Sequence, residues 1–150
     1  PRSGNLLLSG DPGLGKTFLS ACIARVVSER GYSVVYDTAE HIFSQMEEEK
    51  FRPEDAPEAC EDVRRYLRCD LLIVDDLGTE MVTSFVQSAL YQLVNGRLIS
   101  GKKTVINTNL TPRQLGERYL PQVQSRLEGE YRILPFFGED IRKLRRRQQS

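Results

Sequence analysis

Gly10-Asp11-Pro12-Gly13-Leu14-Gly15-Lys16-Thr17 fits the spacing G-x-x-x-x-G-K-[ST] at every fixed position. Residues 5–9, NLLLS, form a short apolar run just before it. Residues 16–30 follow with apolar side chains at Phe18, Leu19, Cys22, Ile23, Val26 and Val27, which is helical spacing. A glycine-rich turn between a buried strand and a helix lets backbone N–H groups converge on an anion, and the helix N-terminus adds a positive dipole. Asp11, Pro12, Gly13, Leu14, Gly15, Lys16, Thr17 and Phe18 are therefore the candidate phosphate- and nucleotide-binding residues. Lys16 is expected on the β- and γ-phosphates and the Thr17 hydroxyl on Mg²⁺.

Outward from this turn, strands and helices alternate. Strands are expected at residues 33–36, 71–75, 104–107 and 131–134. Helices are expected at 39–50, 58–68, 84–100 and 111–119, the last with Thr111 as N-cap and Pro112 at its first position. Residues 51–57, with Pro53 and Pro57, read as a loop. Strands rich in Val, Ile and Leu, separated by helices, imply a five-stranded parallel sheet covered on both faces, a three-layer α/β domain. Chemistry in such sheets sits at the carboxyl ends of the strands. That edge collects residue 10 onward, Asp37, Asp75-Asp76 and Thr108-Asn109.

Those acids suit a phosphate site. Asp75 closes the most apolar strand, LLIVD, and is placed for the Mg²⁺ shell. Asp76 is placed to orient and polarise an attacking water. Glu80, four residues on, reads either as a neighbour of the metal site or as part of a solvated loop. Should the fourth strand lie beside the first, Asn109 can reach the γ-phosphate or the water.

Composition bounds the alternatives. The 150 residues carry 21 Lys+Arg and 21 Asp+Glu and are 39% hydrophobic, which suits one globular domain over residues 1–150 and excludes a uniformly basic nucleic-acid coat or a charge-driven disordered chain. The zero balance is uneven. Eight acids fall between positions 47 and 62, and five bases between 142 and 147. No stretch approaches 18 consecutive apolar residues and no signal peptide is visible, so the expectation is no membrane and a cytoplasmic location. Cys22, Cys60 and Cys69 have no zinc or redox spacing and read as reduced cysteines. His41, the only histidine, reads as having no chemical role. The start at Pro1 suggests a piece of a longer protein.

Taken together these residues resemble AAA+ ATPases of the DnaC-type helicase-loader and IstB-type transposition branch. Leu72-Ile73-Val74-Asp75-Asp76-Leu77-Gly78-Thr79-Glu80 resembles its Walker B signature, with Asp-Asp in place of the more widespread Asp-Glu. Thr108-Asn109-Leu110 resembles its sensor 1, with Asn109 as the sensor. Arg118…Ser125-Arg126-Leu127 resembles its box VII segment, and Phe137-Gly138-Glu139-Asp140-Ile141-Arg142 its closing motif. The resemblance covers essentially the whole chain. It implies an AAA+ core without a separate lid domain, ATP and Mg²⁺ as ligands, and a site shared between protomers. Arg126 is then the arginine finger acting in trans, and Arg142 either a second arginine sensor or a structural residue. It further implies a homo-oligomer formed on ATP binding, hydrolysis that is slow in an isolated domain, and a replicative DNA helicase as partner through an N-terminal region preceding this chain. In this branch the segment between the second and third strands lines a single-stranded DNA channel. Here that segment is acidic, offering only Lys50, Arg52, Arg64, Arg65 and Arg68 to phosphates.

Three other functions compete with a helicase loader. An IstB-like ATPase assisting a transposase shares the same core. A P-loop kinase for a small molecule would need an acceptor pocket and an arginine-rich lid, whereas Asp75-Asp76 and Ser125-Arg126-Leu127 favour hydrolysis. A nucleotide-dependent binding module would show little turnover. ATP rather than GTP rests on the resemblance together with the lack of an Asn-Lys-x-Asp guanine reader.

Overall fold

The computed structural model describes residues 4–13, 15–54 and 61–136. Eleven elements follow in order: β1 (Leu6–Gly10), α1 (Lys16–Glu29), β2 (Val34–Thr38), α2 (Ala39–Lys50), α3 (Glu61–Arg68), β3 (Leu71–Leu77), α4 (Ser84–Ile99), β4 (Lys103–Thr108), α5 (Pro112–Arg118), α6 (Pro121–Glu130) and β5 (Arg132–Phe136). The strands form one parallel sheet in the order β2-β3-β4-β1-β5. β1 thus lies inside the sheet between β4 and β5, and its carboxyl end opens beside that of β4, with Ser9 opposite Thr108.

Alternation along the strands divides the core. Leu8, Leu71, Ile73 and Val105 face one way and pack with Leu19, Ile23 and Val27 of α1. Leu7, Leu72, Val74 and Ile106 face the other way. They meet Ile42 and Phe43 of α2, Leu90, Leu93 and Val94 of α4, Leu115 of α5, and Val123 and Leu127 of α6. The sheet is the middle of three layers, as expected. Local signals set the helix ends: the side chains of Thr38, Thr83 and Thr111 accept from His41 N, Val86 N and Gln114 N at the starts of α2, α4 and α5.

The structure adds an element that the sequence reading did not assign, α6. Its turns are polar, its N-cap Leu120 gives no side-chain cap, and it buries only Val123 and Leu127. α3 begins at Glu61, so the expected helix start at 58 lies outside the described residues. Among the described residues no helix is long and apolar enough to cross a membrane.

β3 runs to Leu77, two residues beyond the expected 71–75, and its last part is irregular. In a regular strand consecutive residues point to opposite faces, so Asp75 and Asp76 could not serve one site. The pairing of β3 with β4 slips by one residue: Val74 sits opposite Ile106, but Leu77 sits opposite Thr108. This bulge is completed by Asp76 at φ +53°, the one non-glycine residue with positive φ among those described. The strand turns at the acids, and both side chains line the same cavity.

Candidate functional site

The cavity, about 270 Å³, lies at the carboxyl edge of the sheet. Pro12, Gly13, Gly15, Lys16, Thr17, Phe18, Asp75, Asp76, Asn107, Thr108 and Asn109 line it. Nearly all the residues expected to act together therefore meet. Leu14 and Arg142 lie outside the described residues. Asp11 is exposed beside the cavity and contributes its carbonyl to the Lys16 ammonium. Phe18 lines the rim, 75% exposed.

α1 starts differently from α2, α4 and α5. Its N-cap is Gly15 at φ +93°, with no side-chain cap. Its first N–H groups thus have no side-chain cap and suit an anion. Gly10 is required for a separate reason: at φ +144°, an added Cβ would stand 1.7 Å from the Phe136 carbonyl oxygen. Lys16 is buried, and Nζ donates to the Gly10 and Asp11 carbonyls at 2.6 and 2.7 Å. Burial lowers the Lys16 pKa, and the charges of Asp11, Asp76 and Asp75 partly restore it.

Two residues that the sequence does not mark hold Asp75, and a third, Ser20, holds one of them. Asn107 Nδ2 donates to Asp75 Oδ1 at 3.0 Å, while Asn107 Oδ1 accepts from Ser20 Oγ of α1 at 2.8 Å. The Tyr36 hydroxyl donates to Asp75 Oδ2 at 3.3 Å and is also within reach of Thr17. Burial, reinforced by Asp75, pushes the Tyr36 hydroxyl up to about 12. The signals were a polar residue inside the TVIN run and the tyrosine two residues before Thr38, which pairs with Asp75. They gain meaning only with the strand order. Asn109, the expected sensor, is exposed on the cavity wall, whereas Asn107 is buried beneath it.

Asp76 is held differently. Its N–H donates to Asp75 Oδ1 at 3.1 Å, and Thr79 Oγ1 donates to its carbonyl at 3.1 Å. Partial burial and the neighbouring Asp75 charge raise its pKa, against the pull of Lys16. The residues fit a magnesium nucleotide. Among the described residues no three His, Cys, Asp or Glu side chains could cage a metal by themselves, and Mg²⁺ needs only one or two carboxylates when phosphates complete its shell.

Glu80 is neither a metal neighbour nor part of a solvated loop. It is buried and bonded to Gly78 and Tyr119. Arg126, on α6, is exposed and does not line the cavity of its own chain. His41 Nδ1 lies 2.6 Å from Asp37 Oδ2, two strands from β4. Cys22 is exposed and Cys69 buried, both free thiols.

Fold and cavity define a P-loop NTPase with the AAA+ core. The chain belongs to the family of IstB-like ATP binding proteins, whose model matches residues 1–146. The replicative helicase loader DnaC of Escherichia coli is 29% identical over 124 residues, 80% of this chain and 50% of that protein. The insertion-sequence protein Rv3427c of Mycobacterium tuberculosis is 26% identical over 109 residues, 72% of this chain and 41% of that protein. The chain thus spans about half the length of these relatives or less. Among solved structures, a DnaC helicase loader superposes with a TM-score of 0.75 at 18% identity, over 91% of this chain and 79% of that one. The replication initiator DnaA bound to AMPPCP and single-stranded DNA also gives 0.75, at 22% identity, over 98% and 46%. At these identities the two structures establish the fold.

Proposed function

We propose that this chain is the ATP-hydrolysing motor of a helicase loader, working at a site shared between protomers. The observation that carries the proposal is the cavity itself. It places a buried lysine, an uncapped helix N-terminus and two differently held acids on one edge of the sheet.

Lys16 exchanges the Gly10 and Asp11 carbonyls for phosphate oxygens, and the N–H groups of the first turn of α1 take the remaining charge. Thr17 and Asp75 hold Mg²⁺, which when bound neutralises phosphate charge. Asn107 and Tyr36 fix the two oxygens of Asp75. Asp76 accepts a hydrogen bond from the attacking water and takes its proton as the water oxygen bonds to the γ-phosphorus and the bond from that phosphorus to the bridging oxygen breaks, ADP leaving with the electron pair. Asn109 orients that water. Arg126 reaches the site of the neighbouring protomer and stabilises the charge that develops on the transferred phosphoryl group. It is exposed, absent from its own cavity and fixed on a helix anchored by Val123 and Leu127, which supports a role across an interface.

Single-stranded DNA is the proposed second ligand. The end of α2 and the start of α4 form a suitable patch: Phe51 and Phe85 lie 6.3 Å apart with Lys50 Nζ 5.6 and 5.3 Å from their ring centres. Phe51, exposed and backed by the half-buried Phe85 and a cation, offers a base a stacking face. The proposed protein partner is a replicative helicase, as for the DnaC relative. The IstB-like family and the insertion-sequence relative support a second reading, an ATPase serving a transposase.

The test is turnover against protein concentration. ATP hydrolysis per protomer should rise with concentration. Lys16→Ala should lose nucleotide binding, whereas Arg126→Ala should bind normally and show a flat, low rate. Normal turnover by Arg126→Ala at high concentration would remove the shared site from the proposal. Co-sedimentation of the full-length protein with a replicative helicase or a transposase separates the two partner readings.

A further inference from the structure

The bonds around Glu80 continue well beyond the cavity. Glu80 Oε2 accepts from Gly78 N at 3.0 Å, and Oε1 accepts from the Tyr119 hydroxyl. The Glu80 carbonyl accepts from Arg118 Nη2, and Arg118 Nε reaches the Tyr119 hydroxyl at 3.4 Å. Gln87 of α4 donates to the carbonyls of Arg118 and Tyr119 at 3.4 and 3.2 Å. Glu80 and Tyr119 are both buried, and a carboxylate in such a place persists only with its oxygens satisfied.

These bonds join two places with different tasks. One is the loop behind Asp76, which is also held by Thr79 and by Thr108 Oγ1 on the Leu77 carbonyl at 2.6 Å. The other is the corner between α5 and α6. Pro121 opens α6 directly after this corner, and Val123 N returns to the Leu120 carbonyl at 2.9 Å. Arg126, five residues further on, follows wherever the corner is set.

We propose that Glu80, Tyr119 and Arg118 form a positioning clamp: they tie the loop carrying Asp76 to the helix that presents Arg126, and so fix the half-site each protomer offers its neighbour. The clamp rests on the shared-site reading above. Removing the Tyr119 hydroxyl takes from the corner its bond to the Glu80 carboxylate and leaves it more loosely held by Arg118 and Gln87, while the loop keeps the Glu80–Gly78, Thr79 and Thr108 bonds. The defect should therefore fall on the arginine-donating side alone.

Mixed assemblies test this. An Asp76→Asn protomer binds nucleotide, does not hydrolyse it, and still donates Arg126. An Arg126→Ala protomer has an intact site and donates nothing. Mixing the two should restore turnover. Adding Tyr119→Phe to the Asp76→Asn donor should cut the restored rate about tenfold or more, since small misplacements of a catalytic group are costly. Adding it to the Arg126→Ala acceptor should change the rate by less than about twofold. Nucleotide affinity and melting temperature of each variant serve as folding controls. Equal losses on both sides would show a general structural role and overturn the clamp, as would an unimpaired donor. If the parent mixture recovers nothing, the shared site itself is wrong, and the clamp falls with it.

Discussion

Asp76 stands in a left-handed backbone conformation that glycine, asparagine and aspartate tolerate best. Its carboxyl is also held above the usual carboxylate range, by burial first and by Asp75 second. A folded-state pKa raised in this way means that ionising Asp76 costs stability. The cost is absent below the unfolded pKa of about 4 and complete once pH exceeds the folded value. Asp76→Asn keeps the backbone compatible and removes the charge. Its melting temperature should exceed that of the parent at pH 7, with the gain shrinking away as pH falls below the unfolded pKa of about 4. Hydrolysis by the same variant should fall at least ~100-fold with nucleotide affinity little changed. Scanning calorimetry across that pH range, set beside a turnover assay, checks both statements. His41 carries the opposite sign. Its pKa is raised by the hydrogen bond to Asp37 and by that carboxylate's charge, with smaller help from Asp62 and Glu48, while the Tyr66 hydroxyl shares Asp37. The stability it contributes is full below its unfolded pKa of about 6.5 and lost as pH rises through the higher folded value. The melting-temperature difference between the parent and His41→Gln should therefore be largest near pH 6 and shrink by pH 8.5.

At the level of elements, α4 is fastened by a residue that no motif marks. Arg97 is fully buried and donates to the carbonyls of Tyr66, Cys69 and Lys103 at 2.8, 2.9 and 2.8 Å, and to Thr104 Oγ1 at 2.9 Å. One planar guanidinium so ties the end of α3 and the start of β4 to α4. Arg97→Met fills the space but strands these acceptors, each costing about 1–3 kcal/mol when buried without a partner. Urea unfolding should show a loss of at least ~3 kcal/mol. Arg97→Lys should recover little, because an ammonium cannot present the planar fork. Arg97 lies on the buried face of a helix expected from its spacing, yet nothing in the spacing says that an arginine there points inward. The elements that were legible carried strong local signals: the apolar runs of β1 and β3, and the Thr111 cap and Pro112 of α5. α6 was illegible because PQVQSRLEGE buries two residues in ten and begins without a side-chain cap. The bulge in β3 was equally hidden, since it depends on pairing with β4.

For the whole molecule, the site was legible where it is contiguous and obscure where it is assembled. Gly10 to Thr17 and Asp75-Asp76 announce themselves in one line of sequence, whereas Asn107, Tyr36 and the Glu80–Tyr119 contact require β1, β4, β3 and β2 to be neighbours in that order. The zero net charge behaves similarly. It argues against broad electrostatic attraction to DNA, and the acids between positions 47 and 62 argue against it at that segment in particular. The folded chain nevertheless sets Phe51, 66% exposed, against Phe85 with Lys50 over both rings. DNA held mainly by stacking should differ from DNA held by phosphates in how it responds to salt. Stacking on one aromatic contributes about 1–3 kcal/mol per base, and each neutralised phosphate adds about −0.7 to the slope of log affinity against log salt for a single strand. With Lys50 and Arg52 the nearby cations, that slope should be shallow, about −1 to −2. Phe51→Ala should weaken binding of a fluorescent oligo-dT about 5- to 100-fold without changing the slope, whereas Lys50→Gln should reduce the slope by about 0.7. Anisotropy titrations of the nucleotide-bound protein across a salt series distinguish the two behaviours. A steep slope that Phe51→Ala leaves untouched, affinity included, would move the DNA contact to a different, basic surface of the assembly.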